Sequence, residues 1–297
     1  MVAGLTRPGP TAPAPPRLRV LYLIDSLGRG GAEHLLAAYL RHLPGMGVEP
    51  VVAALQERDG NPTAADLAGV GVPVIDLGIE RLRQRGAYRR VADAVERSRP
   101  DLVHTQLEFA NVLGAAAASR RRIPVVSTLH TLEAPVFPSR AWARMRVMAW
   151  SLRRHAGLVI AVSEHARRHH LDHLGLSPAR VLTLHNGIEV ERFRTPPGTG
   201  AAVRAELGLP PDAPVIATVA VLRPPKGIGH MLAALPAVLA AVPGVRYLVV
   251  GDGPARAGLE RPAAARGIEE RVTFAGARAD VDRMLAAADL FVLPSLT

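Results

Sequence analysis

Short apolar runs alternate with longer Ala/Arg/Leu stretches through the first two thirds of this 297-residue chain. Residues 20–24, 51–55, 74–77, 102–104, 125–129, 158–162 and 181–184 read as strands, and several are joined by helix-like stretches. Parallel strands need a crossover of that length, so the pattern predicts βαβ units around a parallel sheet. A Pro/Gly-rich interval follows, with Pro196, Pro197, Gly198, Gly200, Pro210, Pro211 and Pro214 and a short helix-like stretch near 201–207. The strand pattern then restarts at 215–222, 247–250, 272–274 and 290–293. The chain is therefore expected to be α/β, with a first domain over 17–195, a linker over 196–214 and a second α/β domain over 215–297. Residues 1–16 hold five prolines and no apolar core. They read as a disordered leader, not a signal peptide.

Composition narrows the classes. No cysteine is present, which excludes disulfides, Cys-ligated zinc and a thiol nucleophile, and fits a cytoplasmic protein. The longest apolar run, 232–245, is interrupted by Pro236 and Pro243 and is too short to span a bilayer. The net charge of +10 is uneven: from Ala213 onward nine Lys/Arg meet seven Asp/Glu, which leaves +8 in the first 212 residues. Such a basic half suits an anionic partner, either a phosphorylated substrate or a membrane surface. Aromatic content of 4% leaves little for base stacking, so nucleic acid is not expected.

Four local features carry chemistry. Lys226 is the only lysine, the other 35 basic Lys/Arg residues being arginine. It sits in Arg223-Pro224-Pro225-Lys226-Gly227, directly after a strand run. A compact ammonium at the carboxyl end of a parallel strand suits a phosphate oxygen; a solvated loop residue is the plainer alternative. The loop Ser26-Leu27-Gly28-Arg29-Gly30-Gly31-Ala32-Glu33 opens a helix, where free N–H groups favour an anion. Its order departs from G-x-G-x-x-G at Glu33, which argues against a nicotinamide dinucleotide. His130 closes the strand at 125–129, facing the ligand crevice of such folds. His104 has the same placement one strand earlier, so a structural histidine is the alternative for either. Residues 139–156 read as a helix with Trp142, Met145, Met148, Ala149 and Leu152 on one stripe and Arg140, Arg144, Arg146, Arg153 and Arg154 off it. The stripe reads as core, with contact to an anionic membrane as the second reading.

Taken in order, the Gly-Gly-Ala-Glu loop, Leu129-His130-Thr131, Ala161-Val162-Ser163-Glu164, His185-Asn186-Gly187-Ile188-Glu189, Pro-Pro-Lys-Gly, Val250-Gly251-Asp252-Gly253-Pro254 and Ala-Asp-Leu-Phe-Val-Leu-Pro-Ser resemble one family. These are the retaining, nucleotide-sugar-dependent glycosyltransferases of the GT-B fold, family 4 (group 1) type. The resemblance implies two facing Rossmann-like domains, the second incomplete here. It implies sugar transfer from a nucleotide diphosphate donor to an acceptor hydroxyl (lipid, polysaccharide or small molecule), with no cofactor and no metal. His130 and Lys226 then take the catalytic positions. Gly30, Gly31, Arg223 and Lys226 would hold the donor diphosphate. Gly251, Asp252, Gly253, Gly276 and Arg278 would lie at the nucleotide, and Gly28, Arg29 and Glu33 at the acceptor.

Two departures stand out. The family's Gly-Arg pair before the lysine is replaced by Ala220 and Val221, and Arg223 is the candidate substitute. The family's paired glutamates follow the segment that matches residues 294–297, so the chain is expected to be C-terminally truncated and inactive as it stands. A nucleotide-sugar epimerase would need a pair of carboxylates poised for proton transfer, and no clear pair is visible. A non-catalytic sugar-nucleotide or membrane-binding protein is the remaining alternative.

Overall fold

A computed structural model describes residues 17–28, 30–58, 60–81, 84–132 and 137–296. The leader expected over 1–16 and the acceptor role expected for Arg29 lie outside them. By contacts, the chain separates into a first unit ending at Ile188 and a second beginning at Glu189.

The first unit is a seven-stranded parallel sheet. Its strands are β1 (Leu18–Ile24), β2 (Val48–Ala54), β3 (Val74–Asp76), β4 (Leu102–Gln106), β5 (Val125–Leu129), β6 (Leu158–Ala161) and β7 (Val181–Thr183), in the order β3-β2-β1-β4-β5-β6-β7. Each apolar run of the sequence forms one of them. The crossovers carry α1 (Gly31–Arg41), α2 (Pro62–Gly69), α3 (Ala87–Ser98), α4 (Glu108–Arg120), α5 (Arg140–His155) and α6 (Glu164–Leu174). Residues 20–24 of β1 are all buried, as a central strand covered on both faces requires. Its side chains alternate between two cores. Leu21 and Leu23 join Val91, Val95 and Leu113, whereas Val20, Tyr22 and Ile24 join Leu36, Leu40 and Leu67. Strand order reverses at β1, which pairs with β2 on one side and β4 on the other. The carboxyl ends of β1 and β4 thus form a topological switch point, where open α/β sheets bind ligands.

The second unit is a four-stranded parallel sheet of β8 (Val215–Val219), β9 (Arg246–Val250), β10 (Val272–Gly276) and β11 (Leu290–Phe291), in the order β10-β9-β8-β11. Its helices are α7 (Thr199–Glu206), α8 (Ile228–Ala241), α9 (Arg256–Ala265) and α10 (Val281–Ala286). Its switch point lies at β8, between β9 and β11. The interval read as a linker contains α7. Val203 of that helix is fully buried with Val215, Ala217, Leu248 and Met284. Arg204 donates to the carbonyls of Ala213 and Ala287 and pairs with Asp289 at 2.9 Å, so α7 is bonded into this unit. The run at 290–293 looks buried from its composition, but the strand covers only Leu290–Phe291 and both side chains are about half exposed. Its place at the sheet edge, paired to β8 alone, is the reason.

Candidate functional site

In the first unit, a cavity of about 390 Å³ opens where β1, β4 and β5 end; Asp25, Glu33, Arg58, Glu108, His130 and Arg144 are among its walls. Asp25 follows β1 directly. Its carboxylate accepts the N–H groups of Phe109 (3.1 Å) and Ala110 (2.7 Å) in the first turn of α4, where free donors and the helix dipole favour an anion. Burial nevertheless pushes the carboxyl up to about 6, because desolvation outweighs those two bonds. Across the opening, Arg144 pairs with Glu108 at 3.0 Å.

His130 lies just beyond β5 and lines this cavity. Its Nε2 is 3.1 Å from Gln106 Oε1 at the end of β4. With the amide oxygen accepting, Nε2 carries the proton and Nδ1 keeps its lone pair for a ligand donor. Burial lowers the ring to about 4, so it is neutral at pH 7. His104 differs. Its Nε2 lies 2.8 Å from Thr128 Oγ1 and its ring packs on Tyr22, within the sheet's own core. Burial, aided by repulsion from His130, lowers it to about 4 as well. The two histidines that sequence position could not separate therefore have different surroundings, and only His130 reaches the cavity.

The glycine loop is pinned from below. Thr63 donates its hydroxyl to the Gly28 carbonyl (2.8 Å), and Asn61 Oδ1 accepts the N–H of Leu27 (3.1 Å) and of Arg58 (3.0 Å). Gly30 is the N-cap of α1. The carboxylate of Glu33 folds back over it: a Cβ on Gly30 would lie 2.2 Å from Glu33 Oε2. Ser26 donates to Glu33 Oε1 at 3.2 Å. Glu33 is thus a buried acid in the first turn of α1, where it complements the helix dipole. Gly31 is exposed, with open space where a side chain would be.

Beneath the cavity runs a polar network. Thr105 Oγ1 lies 2.7 Å from both Asn111 Oδ1 and Ser127 Oγ, and all three residues are fully buried. Asp25, Arg58 and Asn111 were not singled out by sequence reasoning, and Arg144 was noted only as a charge off the apolar stripe of its helix. Only Asp25 carried a usable signal there, as an acid directly after the apolar run 20–24.

In the second unit the equivalent edge is built from backbone. After β8 the chain stays extended, with Leu222 fully buried between exposed Val221 and Arg223. Leu222 N–H donates to Asp252 C=O (3.0 Å), and Ala255 N–H to Leu222 C=O (3.0 Å), which clamps this segment to the turn after β9. Gly251 makes the clamp possible: at φ +133° a Cβ there would lie 1.9 Å from the Ala220 carbonyl oxygen. The chain then makes a 3-10 turn over Pro224–Lys226, and Gly227, at φ +67°, abuts the carbonyl of Pro294. Lys226 therefore stands at this sheet's switch point, half-buried, and among the described residues its ammonium meets no carboxylate.

The other expected nucleotide residues lie along this edge. Asp252 accepts the Gly253 N–H at 2.7 Å and pairs with Arg256 at 3.2 Å. The Gly276 carbonyl accepts the Gly251 N–H at 2.7 Å, joining the ends of β9 and β10. Arg278 is held by other carboxylates, Asp280 through two 2.8 Å bonds and Glu206 of α7 at 2.8 Å. These partners raise its already high pKa further. Among the described residues no group of three or more His, Asp or Glu side chains could hold a metal ion, and no helix is long and apolar enough to cross a membrane.

The chain can now be compared with known proteins. Residues 29–192 match the model of Glycosyltransferase Family 4, and residues 201–297 that of Glycosyl transferases group 1. It is 32% identical over 248 residues to the D-inositol 3-phosphate glycosyltransferase of Mycobacterium ulcerans (strain Agy99), covering 76% of this chain and 50% of that protein. It is 34% identical over 214 residues to the enzyme of the same name from Mycobacterium bovis (strain BCG / Pasteur 1173P2), covering 66% and 42%. The chain thus spans about half the length of the curated relatives it matches. Among solved structures it is similar to Anabaena Alr3699/HepE in complex with UDP and glucose, at 26% identity and a TM-score of 0.82, over 95% of this chain and 75% of that one. The lipopolysaccharide glycosyltransferase WaaG, at 18% identity and TM-score 0.72, shares the fold.

Proposed function

This chain belongs to Glycosyltransferase Family 4, and we propose that its sites serve the transfer of a sugar from a nucleoside diphosphate to an acceptor hydroxyl with retention at the anomeric carbon. The bond from the anomeric carbon to the diphosphate breaks, and the acceptor oxygen bonds to the same face. The acceptor's proton leaves with the nucleoside diphosphate. Negative charge grows on the leaving group, so the reaction calls for fixed cations and N–H donors there.

The observation that carries this reading is Lys226. It is the chain's single lysine, at the switch point of the second sheet, with no carboxylate neutralising it among the described residues. Arg223, three residues earlier, adds a second cation. The backbone turn at Gly251–Gly253 and the Gly276 carbonyl flank them and suit a ribose and base. In the first unit, neutral His130 suits a sugar hydroxyl, and the exposed N–H end of α1 at Gly30 and Gly31 suits a phosphate. Glu33 is the near edge of the acceptor side. A uridine nucleotide is the first donor to try, because Alr3699/HepE is described with UDP-glucose.

Titration with UDP by calorimetry tests the reading. Lys226→Ala should weaken binding by about 1.5–3 kcal/mol, as expected for a hydrogen bond to a charged group. Equal affinity of variant and parent would remove Lys226 from the diphosphate site.

A further inference from the structure

Helix α5 has two apolar sides. The inward one is core: Ala149 and Leu152 are fully buried, and Met145 and Met148 pack on the same cluster. The outward one runs through Ala143, Val147, Trp150 and Arg154, spaced i, i+4, i+7 and i+11, so these side chains lie along a single line of the helix. Trp150 is 56% exposed and Val147 46%. Arg140 and Arg146 are also exposed. Arg146 lies over the ring of Trp142, 5.9 Å from its centre, and that ring meets Phe137, itself 68% exposed, edge-on at 4.9 Å. The helix carries five arginines and neither Asp nor Glu.

We propose that this outward face of α5 docks the first unit on an anionic lipid bilayer. Trp150 and Val147 would enter the boundary between headgroups and acyl chains, and Arg140, Arg146 and Arg154 would reach the lipid phosphates. Charge complementarity selects this occupant, because +8 of the net +10 belongs to the first 212 residues. A protein partner fits less well. Stable protein interfaces bury about 800 Å² on each side, more than a few exposed apolar side chains on one helix supply. A bilayer needs only a wedge and cations. The same helix lines the first unit's cavity through Ala141, Arg144, Met145 and Met148, so docking would hold that cavity beside the membrane. The inference stands on the helix face and does not depend on the proposed transfer reaction.

Co-sedimentation of the whole chain with vesicles tests it. Vesicles of phosphatidylcholine with about 30% phosphatidylglycerol should capture the protein at low salt and release it at high salt. Vesicles of phosphatidylcholine alone should not. Trp150→Asp with Val147→Asp should weaken capture at least about tenfold. Arg146→Glu with Arg154→Glu should weaken it about 25-fold or more, from roughly a fivefold share per arginine. Both pairs are on the surface, and an unchanged melting curve confirms folding for each. Failure to bind anionic vesicles, equal binding to neutral ones, or full binding by both folded double variants would each overturn the proposal. So would dimers in sedimentation velocity that Trp150→Asp dissolves while vesicles stay unbound, since a second copy would then be the occupant.

Discussion

At the carboxyl ends of β1, β4 and β5 the first unit presents side chains: Asp25, Gln106 and His130, held over a buried layer of Thr105, Asn111 and Ser127. At the ends of β8 and β9 the second unit presents backbone. Gly251 and Gly227 let neighbouring segments touch, and the charged groups stand on the resulting turns. Both sheets are parallel and both have a switch point, so topology alone does not separate them. The difference lies in what is fragile. The first edge depends on protonation states in a desolvated place, the second on the absence of a Cβ.

The sharpest way to break this comparison is Gly251→Ala. A methyl group 1.9 Å from the Ala220 carbonyl, at φ +133°, cannot be accommodated without moving backbone. We expect a loss above about 3 kcal/mol, confined to the second unit. Hydrogen exchange followed residue by residue should show fast exchange in β8 and β9 with β1, β4 and β5 still protected. Parent-like protection of β9 would mean that the turn tolerates a side chain.

Acid should strike the first unit. His104, His130 and His170 are each lowered to about 4 by burial, and His170 Nε2 has no hydrogen-bond partner among the described residues. Above the ordinary value of 6.5 these rings are neutral in both folded and unfolded chains, and their environment carries no pH penalty. Below it the unfolded chain takes up protons that the folded one refuses, so stability falls as pH drops from 6.5 towards 4. Asp25 opposes this: raised to about 6, it stays protonated in the folded state between 6 and 3.8, where the unfolded carboxyl ionises. Three groups outweigh one, and a net loss on the order of 3 kcal/mol is expected at pH 5 relative to pH 7. The second unit has only His230, which is exposed. Its exchange should therefore change less over this window, and simultaneous acid loss of both units would contradict the contrast.

The smallest effect is expected from Arg278→Ala. Its guanidinium is already engaged by Asp280 and Glu206 in half-buried ion pairs, so it is not free to reach a nucleotide without breaking them. UDP affinity should change by less than about threefold. A tenfold fall would show that the arginine leaves those carboxylates for the nucleotide.

Much of this molecule was legible before folding. The apolar runs appear as strands because a parallel strand covered on both faces must be apolar on both, and such a run is conspicuous in one dimension. The positions of Lys226 and His130 were legible for a related reason: each directly follows a strand run, and strand ends are where these sheets bind ligands. The interval over 196–214 was legible in part, its helix-like stretch near 201–207 appearing as α7. Prolines and glycines mark turns, and they do flank α7, but composition did not reveal that Val203 is buried or that Arg204 ties the helix to the end of the unit. Nor could the stripe on α5 show that a second apolar line, through Val147 and Trp150, would face outward. Periodicity gives a helix its faces without saying which has a neighbour.

The sequence by itself determined most of the secondary structure, the two parallel sheets, the excess charge of the first half and the family, because these depend on the order of residue types along the chain. Tertiary structure decided the rest. It separated His130 from His104 by surroundings, brought Asp25 onto the first turn of α4, engaged Arg278 with two carboxylates and left Lys226 without one among the described residues. Apart from the local Arg278–Asp280 pair, those outcomes depend on residues far apart in sequence meeting at a strand end, 24 positions apart for Gln106 and His130 and 85 for Asp25 and Ala110, and on how far burial removes each group from water. No local pattern records either.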